Sequence, residues 1–183
     1  LPSTLTEFTG GLMAHYPFNG NANDESGNGR HGTALGATLG VDRFGNANRS
    51  YDYDGNDYIR ATPQLPDRNS VTVSGWVKAN AISSTQQFLF FDGDTSGGKD
   101  LAGYIEEGNF TFITKDHGTH IIASAPMLAG VWYHYVCIAD GDKDEKSIWL
   151  NGVKMAEMTG WTGTGNIGNH WDLVFGVAKD GGG

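Results

Sequence analysis

One early loop is crowded with oxygen donors. Between Asn19 and Gly32 stand Asn19, Asn21, Asn23, Asp24, Ser26 and Asn28, separated by glycines. A hard cation such as calcium takes about six to eight oxygens from carboxylates, amides and carbonyls on a tightly turning backbone. The loop offers several, with Asp24, Ser26 and Asn28 as candidate metal ligands. The Asp-x-Asp-x-Asp-Gly order of an EF-hand is missing. The competing reading is that Asp24 and Ser26 are turn formers that bond their own backbone. A second acidic loop, Asp92 to Asp100, includes Asp92 and Asp94 and suits either a cation or sugar hydroxyls, unless it is a solvated hairpin tip. Asp140 to Glu145 alternates with Lys143 and Lys146 and reads as an exposed turn.

Aromatic rings supply the other chemistry. A pyranose presents an apolar C–H face that stacks on an indole or phenol, while its hydroxyls need Asp, Asn or His partners. Trp161 and Trp171 stand in Gly-, Thr- and Asn-rich loop sequence, where a large ring is more informative than in a strand. They are candidate glycan-binding residues, unless they cap the end of the fold. Tyr104, Asp116, His117 and His120 lie in or beside central strands and are candidates to line a concave face. Trp76, Trp132 and Trp149 sit inside strand-like runs and are expected in the core.

Several chemistries find no support. The six histidines show no metal spacing apart from His117 and His120. No nucleophile-elbow or phosphate-loop pattern occurs, although there are 28 glycines. Lys and Arg number 12 against 21 Asp and Glu, a net charge of −9, which disfavours nucleic acid as a partner. The single cysteine, Cys137, excludes an intramolecular disulfide, and its neighbours Val136 and Ile138 place it in a buried strand. No apolar stretch approaches the length that spans a bilayer, so membrane insertion is not expected.

The elements that must position these groups are strands. Ser70 to Val77 sets Val71, Val73 and Val77 on one face. Val131 to Ala139 sets Trp132, His134, Val136 and Ile138 on one face and Tyr133, Tyr135 and Cys137 on the other. Residues 50–53, 58–61, 87–91, 101–105, 110–114, 120–124, 147–150, 153–158 and 173–177 also read as strands. Asn151-Gly152 and Glu107-Gly108-Asn109 read as hairpin turns, and Asp54 to Asp57 as a tight turn. No capped 3.6-residue period is present. Roughly a dozen short strands with glycine turns predict an all-β sandwich of two antiparallel sheets. The expected organisation is a linker or partial edge strand over 1–10 and one domain over 11–183.

The residues carry a resemblance. Leu12 to Gly32, Asp42 to Ala47, Tyr53 to Ile59, Val73 to Val77, Trp132 to Val136 and Ile148 to Val153 resemble, in order, the blocks of laminin-G-like, concanavalin A-like jelly-roll modules. The likeness runs from about residue 11 to 178. It implies a jelly-roll fold and a secreted or cell-surface, often bacterial, module. It places Asp24 at a structural calcium site. The implied function is non-catalytic carbohydrate binding or adhesion, with a glycan, polysaccharide or surface protein as partner. The alternatives are a polysaccharide lyase or glycoside hydrolase of the same fold, or a protein–protein assembly module. The Glu-x-Asp-x-x-Glu strand motif of the fold's glucanases is absent, and a lyase's Arg clamp is not evident after residue 68. The resemblance also implies a closing strand after the final Gly-rich loop. The chain stops in that loop, so two strands are expected to keep open edges, filled by further residues, a separate peptide or Leu1–Gly10 of a neighbouring molecule.

Overall fold

Alternation along two long strands sets the architecture. The structure is a computed structural model that describes residues 11–66, 68–94, 98–114, 120–123, 126–160, 167 and 172–176. Its strands are β1 (Gly32–Leu35), β2 (Thr38–Val41), β3 (Ala47–Asp52), β4 (Tyr58–Ala61), β5 (Ser70–Lys78), β6 (Gln87–Asp94) and β7 (Gly98–Glu106). They continue with β8 (Asn109–Thr114), β9 (His120–Ala123), β10 (Trp132–Asp140), β11 (Glu145–Leu150), β12 (Val153–Thr159) and β13 (Leu173–Gly176). No helix occurs among the described residues.

The strands pair into a seven-stranded sheet, β1-β4-β13-β6-β7-β8-β9, a four-stranded sheet, β12-β11-β10-β5, and the small pair β2-β3. All ladders are antiparallel, which gives the expected jelly-roll sandwich. Val71, Tyr135, Cys137, Ala139, Ile148 and Leu150 of the smaller sheet meet Phe90, Leu101, Ile105, Phe110 and Phe112 of the larger in one core. Burying apolar area of this kind stabilises by about 25 cal/mol per Å². Tyr135 is the central ring, with centroids 5.9 Å from Phe90 and 5.4 Å from Phe110. Its approach requires Gly75, where an added Cβ would stand 2.7 Å from the Tyr135 hydroxyl.

The turns behave as their sequences predict. Glu107-Gly108 and Asn151-Gly152 both have positive φ and close two-residue hairpins, as a right-twisted ladder prefers. Asp140 to Glu145 is an exposed turn in which Lys143 pairs with Asp140 at 2.7 Å. The first described segment docks through rings. Tyr16 lies edge-on to Phe175 at 5.0 Å and Phe18 edge-on to Tyr51 at 5.2 Å.

Two strands, β1 and β2, are not evident in the sequence. They are short and glycine-bearing, and packing dictates them. A Cβ on Gly32 would meet Ile59 at 2.7 Å, and one on Gly40 would meet the Asp52 carboxylate at 2.6 Å.

β5 is the outer strand of its sheet, and its free edge is unpaired among the described residues. A groove of about 840 Å³ runs along it, bordered by Gly11–Tyr16 and Ser50–Tyr53, with Phe90, Leu101 and Tyr135 at its floor.

Candidate functional site

The three strand tryptophans are not in the core. Even-numbered residues of β5 and β10 point outward because the odd-numbered Val71, Val73, Tyr135, Cys137 and Ala139 fill the interior. Trp76 is therefore 45 % exposed, and Trp132 is half-buried on the same outer face. Trp149 lies between the buried Ile148 and Leu150 and opposite Val136, so it too faces out. A strand composition rich in rings signals burial of one face only, and parity decides which.

On this outer face the rings form a row with cations. Trp76 stands directly opposite His134, with ring centroids 5.1 Å apart. The Arg43 guanidinium lies 4.3 Å from the Trp76 ring and 4.1 Å from that of Phe44, itself 71 % exposed. Lys78 lies 5.3 Å from Trp132 and Lys154 the same distance from Trp149. Each such contact contributes about 0.5–1 kcal/mol at an exposed site. Sequence spacing missed Arg43 and Phe44, which arrive from the β2–β3 turn.

A polar pocket adjoins the row, lined by Asn19, Asp42, Arg43, Asn46 and Arg49 among others, with a volume of about 600 Å³. Its rim is preorganised. Asp42 accepts from the Phe44 and Asn46 backbone N–H groups at 2.8 and 2.9 Å and from the Asn46 amide at 3.0 Å. These bonds hold the Asp42 carboxyl below the usual carboxylate range, the Asn46 side-chain bond contributing most. An Arg49 guanidinium N–H donates to the Asn19 side-chain oxygen Oδ1. Amide, carboxylate and guanidinium groups thus converge beside rings, a composition suited to hydroxyl-rich ligands.

Asp24 is buried and fully used. Oδ1 accepts from the His15 and Ser26 N–H groups at 2.9 and 2.8 Å, and Oδ2 accepts from the Ser26 hydroxyl at 2.9 Å and the Arg30 N–H at 3.0 Å. Burial raises its pKa, but the four donors together outweigh burial and bring it down to about 2. The Asn28 amide donates to the Leu12 and Met13 carbonyls at 2.9 and 3.1 Å. The Ser26 hydroxyl also accepts from the Asn28 N–H at 3.2 Å. The Asp24 and Ser26 oxygens are thereby occupied, and Asn28 is held through its amide nitrogen. A calcium ion at Asp24 would have to displace these donors, so the arrangement does not fit the metal. Among the described residues no group of three or more His, Cys, Asp or Glu is placed to hold one.

Two candidate glycan contacts lie elsewhere than expected. Asp92 is fully buried and pairs with the Arg68 guanidinium at 2.8 Å. It shares a row with Leu101 and so points into the sandwich. Burial raises its carboxyl pKa, and Arg68 only partly offsets that. Tyr104 is 3 % exposed and packs with Phe88, Phe91, Ala102 and Ile113 in a second buried cluster. It offers no open ring face. Trp161, Trp171, Asp116 and His117 lie outside the described residues, as does the Asp94 side chain.

Comparison with known proteins follows the geometry. The family model Laminin_G_3, described as the concanavalin A-like lectin/glucanases superfamily, matches residues 53–183. No curated protein matches the sequence. Among solved structures, the chain resembles domain 4 of AbnA, an extracellular GH43 arabinanase from Geobacillus stearothermophilus, solved with arabinotriose. That match has TM-score 0.66 and 19 % identity and covers 92 % of this chain and 84 % of that one. A structure of botulinum neurotoxin type C, whose cell entry depends on two ganglioside molecules, matches at TM-score 0.69 and 11 % identity, over 96 % of this chain and 45 % of that one. A heptameric SAP-like pentraxin from Limulus polyphemus matches at TM-score 0.56 and 17 % identity, over 69 % of this chain and 60 % of the pentraxin. The chain thus spans less than two thirds of the toxin and pentraxin chains, and at these identities the likeness is one of fold.

Proposed function

The chain belongs to the concanavalin A-like lectin/glucanase superfamily, and from that premise we propose that it is a non-catalytic carbohydrate-binding module of a secreted protein. The observation that carries this reading is the exposed row Phe44–Arg43–Trp76–His134 beside the Asn19–Asp42–Asn46–Arg49 pocket. Apolar C–H patches of a sugar pack against the exposed rim of the rings, and hydroxyls bond to the amides, carboxylate and guanidinium. The arabinanase domain solved with arabinotriose and the ganglioside-dependent toxin support it as proteins of the same fold that engage sugars. Catalysis is not part of the proposal. Glu106 ends β7 and Glu107 turns the hairpin, so the adjacent pair makes no facing acid and nucleophile.

A glycan array scored for both binding and release of reducing ends tests the reading. We expect binding without release. Trp76→Ala and Phe44→Ala should each weaken it by about threefold to tenfold. Release of reducing ends would establish an enzyme. Affinity unchanged in both variants would remove the outer face as the site.

The edge of β5, unpaired among the described residues, favours one second reading, assembly with another protein by strand addition. It predicts a protein partner and no glycan on the array.

A further inference from the structure

We propose that the outer aromatic face selects acidic polysaccharides, those whose sugars carry carboxylates or sulfates. The inference rests on the carbohydrate-binding reading and deepens it. Three facts carry it.

Charge is distributed against the trend of the molecule. The protein has a net charge of −9, yet Arg43, Arg49 and Lys78 gather at the row and its pocket. Most other described cations are neutralised: Arg68 by Asp92, Lys143 by Asp140, Lys154 by Glu157 and Arg60 by Asp172. Among the described residues neither Arg43 nor Lys78 has an ion-pair partner. Asp42 lines the same pocket, where Arg43 helps to hold it ionised, and Asp52 borders the groove, so three cations face two carboxylates there. Fields of distant acidic turns are damped over about 8 Å at physiological salt, so the local cations decide what approaches.

The stacking geometry selects edges over faces. The Arg43 guanidinium lies over the Trp76 and Phe44 rings, and the His134 ring lies against Trp76 at a 37° tilt. A ligand meets the rim of the row. Ring edges are electropositive, and a stacked guanidinium presents its N–H groups in its own plane. Both favour an anion over a neutral hydroxyl.

The Arg43 guanidinium carbon lies 4.1 Å from the Phe44 ring centre and 4.3 Å from that of Trp76. A carboxylate or sulfate at the edge of its fork would accept two parallel N–H bonds. Lys78, two residues from Trp76 on the same face, is placed for the next charge along a polymer.

Native-gel affinity electrophoresis tests the proposal, with polygalacturonate, dextran sulfate, neutral arabinan or neutral dextran cast in the gel. Wild-type protein should be retarded by polygalacturonate and much less by the neutral polymers, and added NaCl should relieve the retardation. The exposed double variant Arg43→Gln/Lys78→Gln should lose about tenfold or more in affinity for polygalacturonate. Circular dichroism should confirm that it stays folded. Retardation by neutral polymers alone, or equally by all, overturns the acidic selectivity and leaves the carbohydrate reading standing. Retardation by dextran sulfate as well supports the anionic selectivity, and retardation by dextran sulfate alone supports it with sulfate as the anion. Retardation by polygalacturonate that survives the double variant places the site elsewhere and overturns the assignment. No retardation in any gel removes both readings.

Discussion

Asp24 does for the chain what a metal would otherwise do. Its carboxylate ties His15, Ser26 and Arg30, joining the first described segment to the loop before β1. The folded pKa, about 2, lies below the ordinary value of 3.8. A depressed carboxylate stabilises the fold above its unfolded pKa, and that stability disappears as pH falls through its folded pKa. Asp24 should therefore contribute about 2 kcal/mol at neutral pH, lost between about pH 4 and pH 2. Asp24→Asn, which turns a donor against the Arg30 or Ser26 donors, should cost about that much and flatten the acid limb of a urea-midpoint titration. Adding EDTA should leave the melting temperature unchanged. A fall on chelation would show a cation bound to the folded state. Removing Arg68 should cost more, about 3–5 kcal/mol, because Asp92 would be left charged and buried. Urea unfolding of Arg68→Met reads this directly. At this scale the sequence showed which residues were unusual but not what they faced. Asp24 was visible as a turn or a ligand, and only its four donors distinguish the two. Asp92 looked like a loop carboxylate because its partner is 24 residues away.

Elements were the most legible level. β5 and β10 read clearly because β-branched and aromatic residues alternate over nine positions. The hairpin turns read from Asn-Gly and Glu-Gly, whose positive φ the structure confirms. β1 and β2 did not read, since their glycines are selected by tertiary neighbours. The outward placement of Trp76, Trp132 and Trp149 also needed the sheet, for hydropathy along a strand assigns two faces without saying which is inside. Close approach between neighbouring strands of the larger sheet gives a prediction here. A Cβ on Gly103 would run into the Phe90 ring, which is itself packed between Phe112 and Tyr135. Gly103→Ala should therefore destabilise by about 1–3 kcal/mol, although alanine is otherwise the better strand residue. At this size that corresponds to a fall in Tm of about 2–4 °C per kcal/mol, measurable by calorimetry.

For the whole molecule, the fold was legible from short strands and glycine turns, and the family match supports it. The proposed sugar-facing surface was not. It draws Arg43 and Phe44 from the β2–β3 turn and Trp76 and His134 from β5 and β10, residues up to 91 positions apart in the chain. No local pattern encodes that meeting. Placing the rings on a broad sheet exterior favours polymers that lie across the surface over single sugars enclosed in a pocket. Chain-length series on the array should therefore show affinity rising with the number of sugar units, as further contacts form along the row.

Cys137 offers a way to watch the sandwich open. It is the chain's sole cysteine, lies fully buried in the core beside Tyr135, and burial pushes its thiol pKa well up. Neither the thiolate nor a path to it exists while the sheets are closed. Labelling by a thiol reagent must wait for the β5–β10 half to part from the larger sheet. Its rate at saturating reagent then becomes a clock of that excursion, and a polysaccharide that binds only the closed form should slow the clock in proportion to its occupancy.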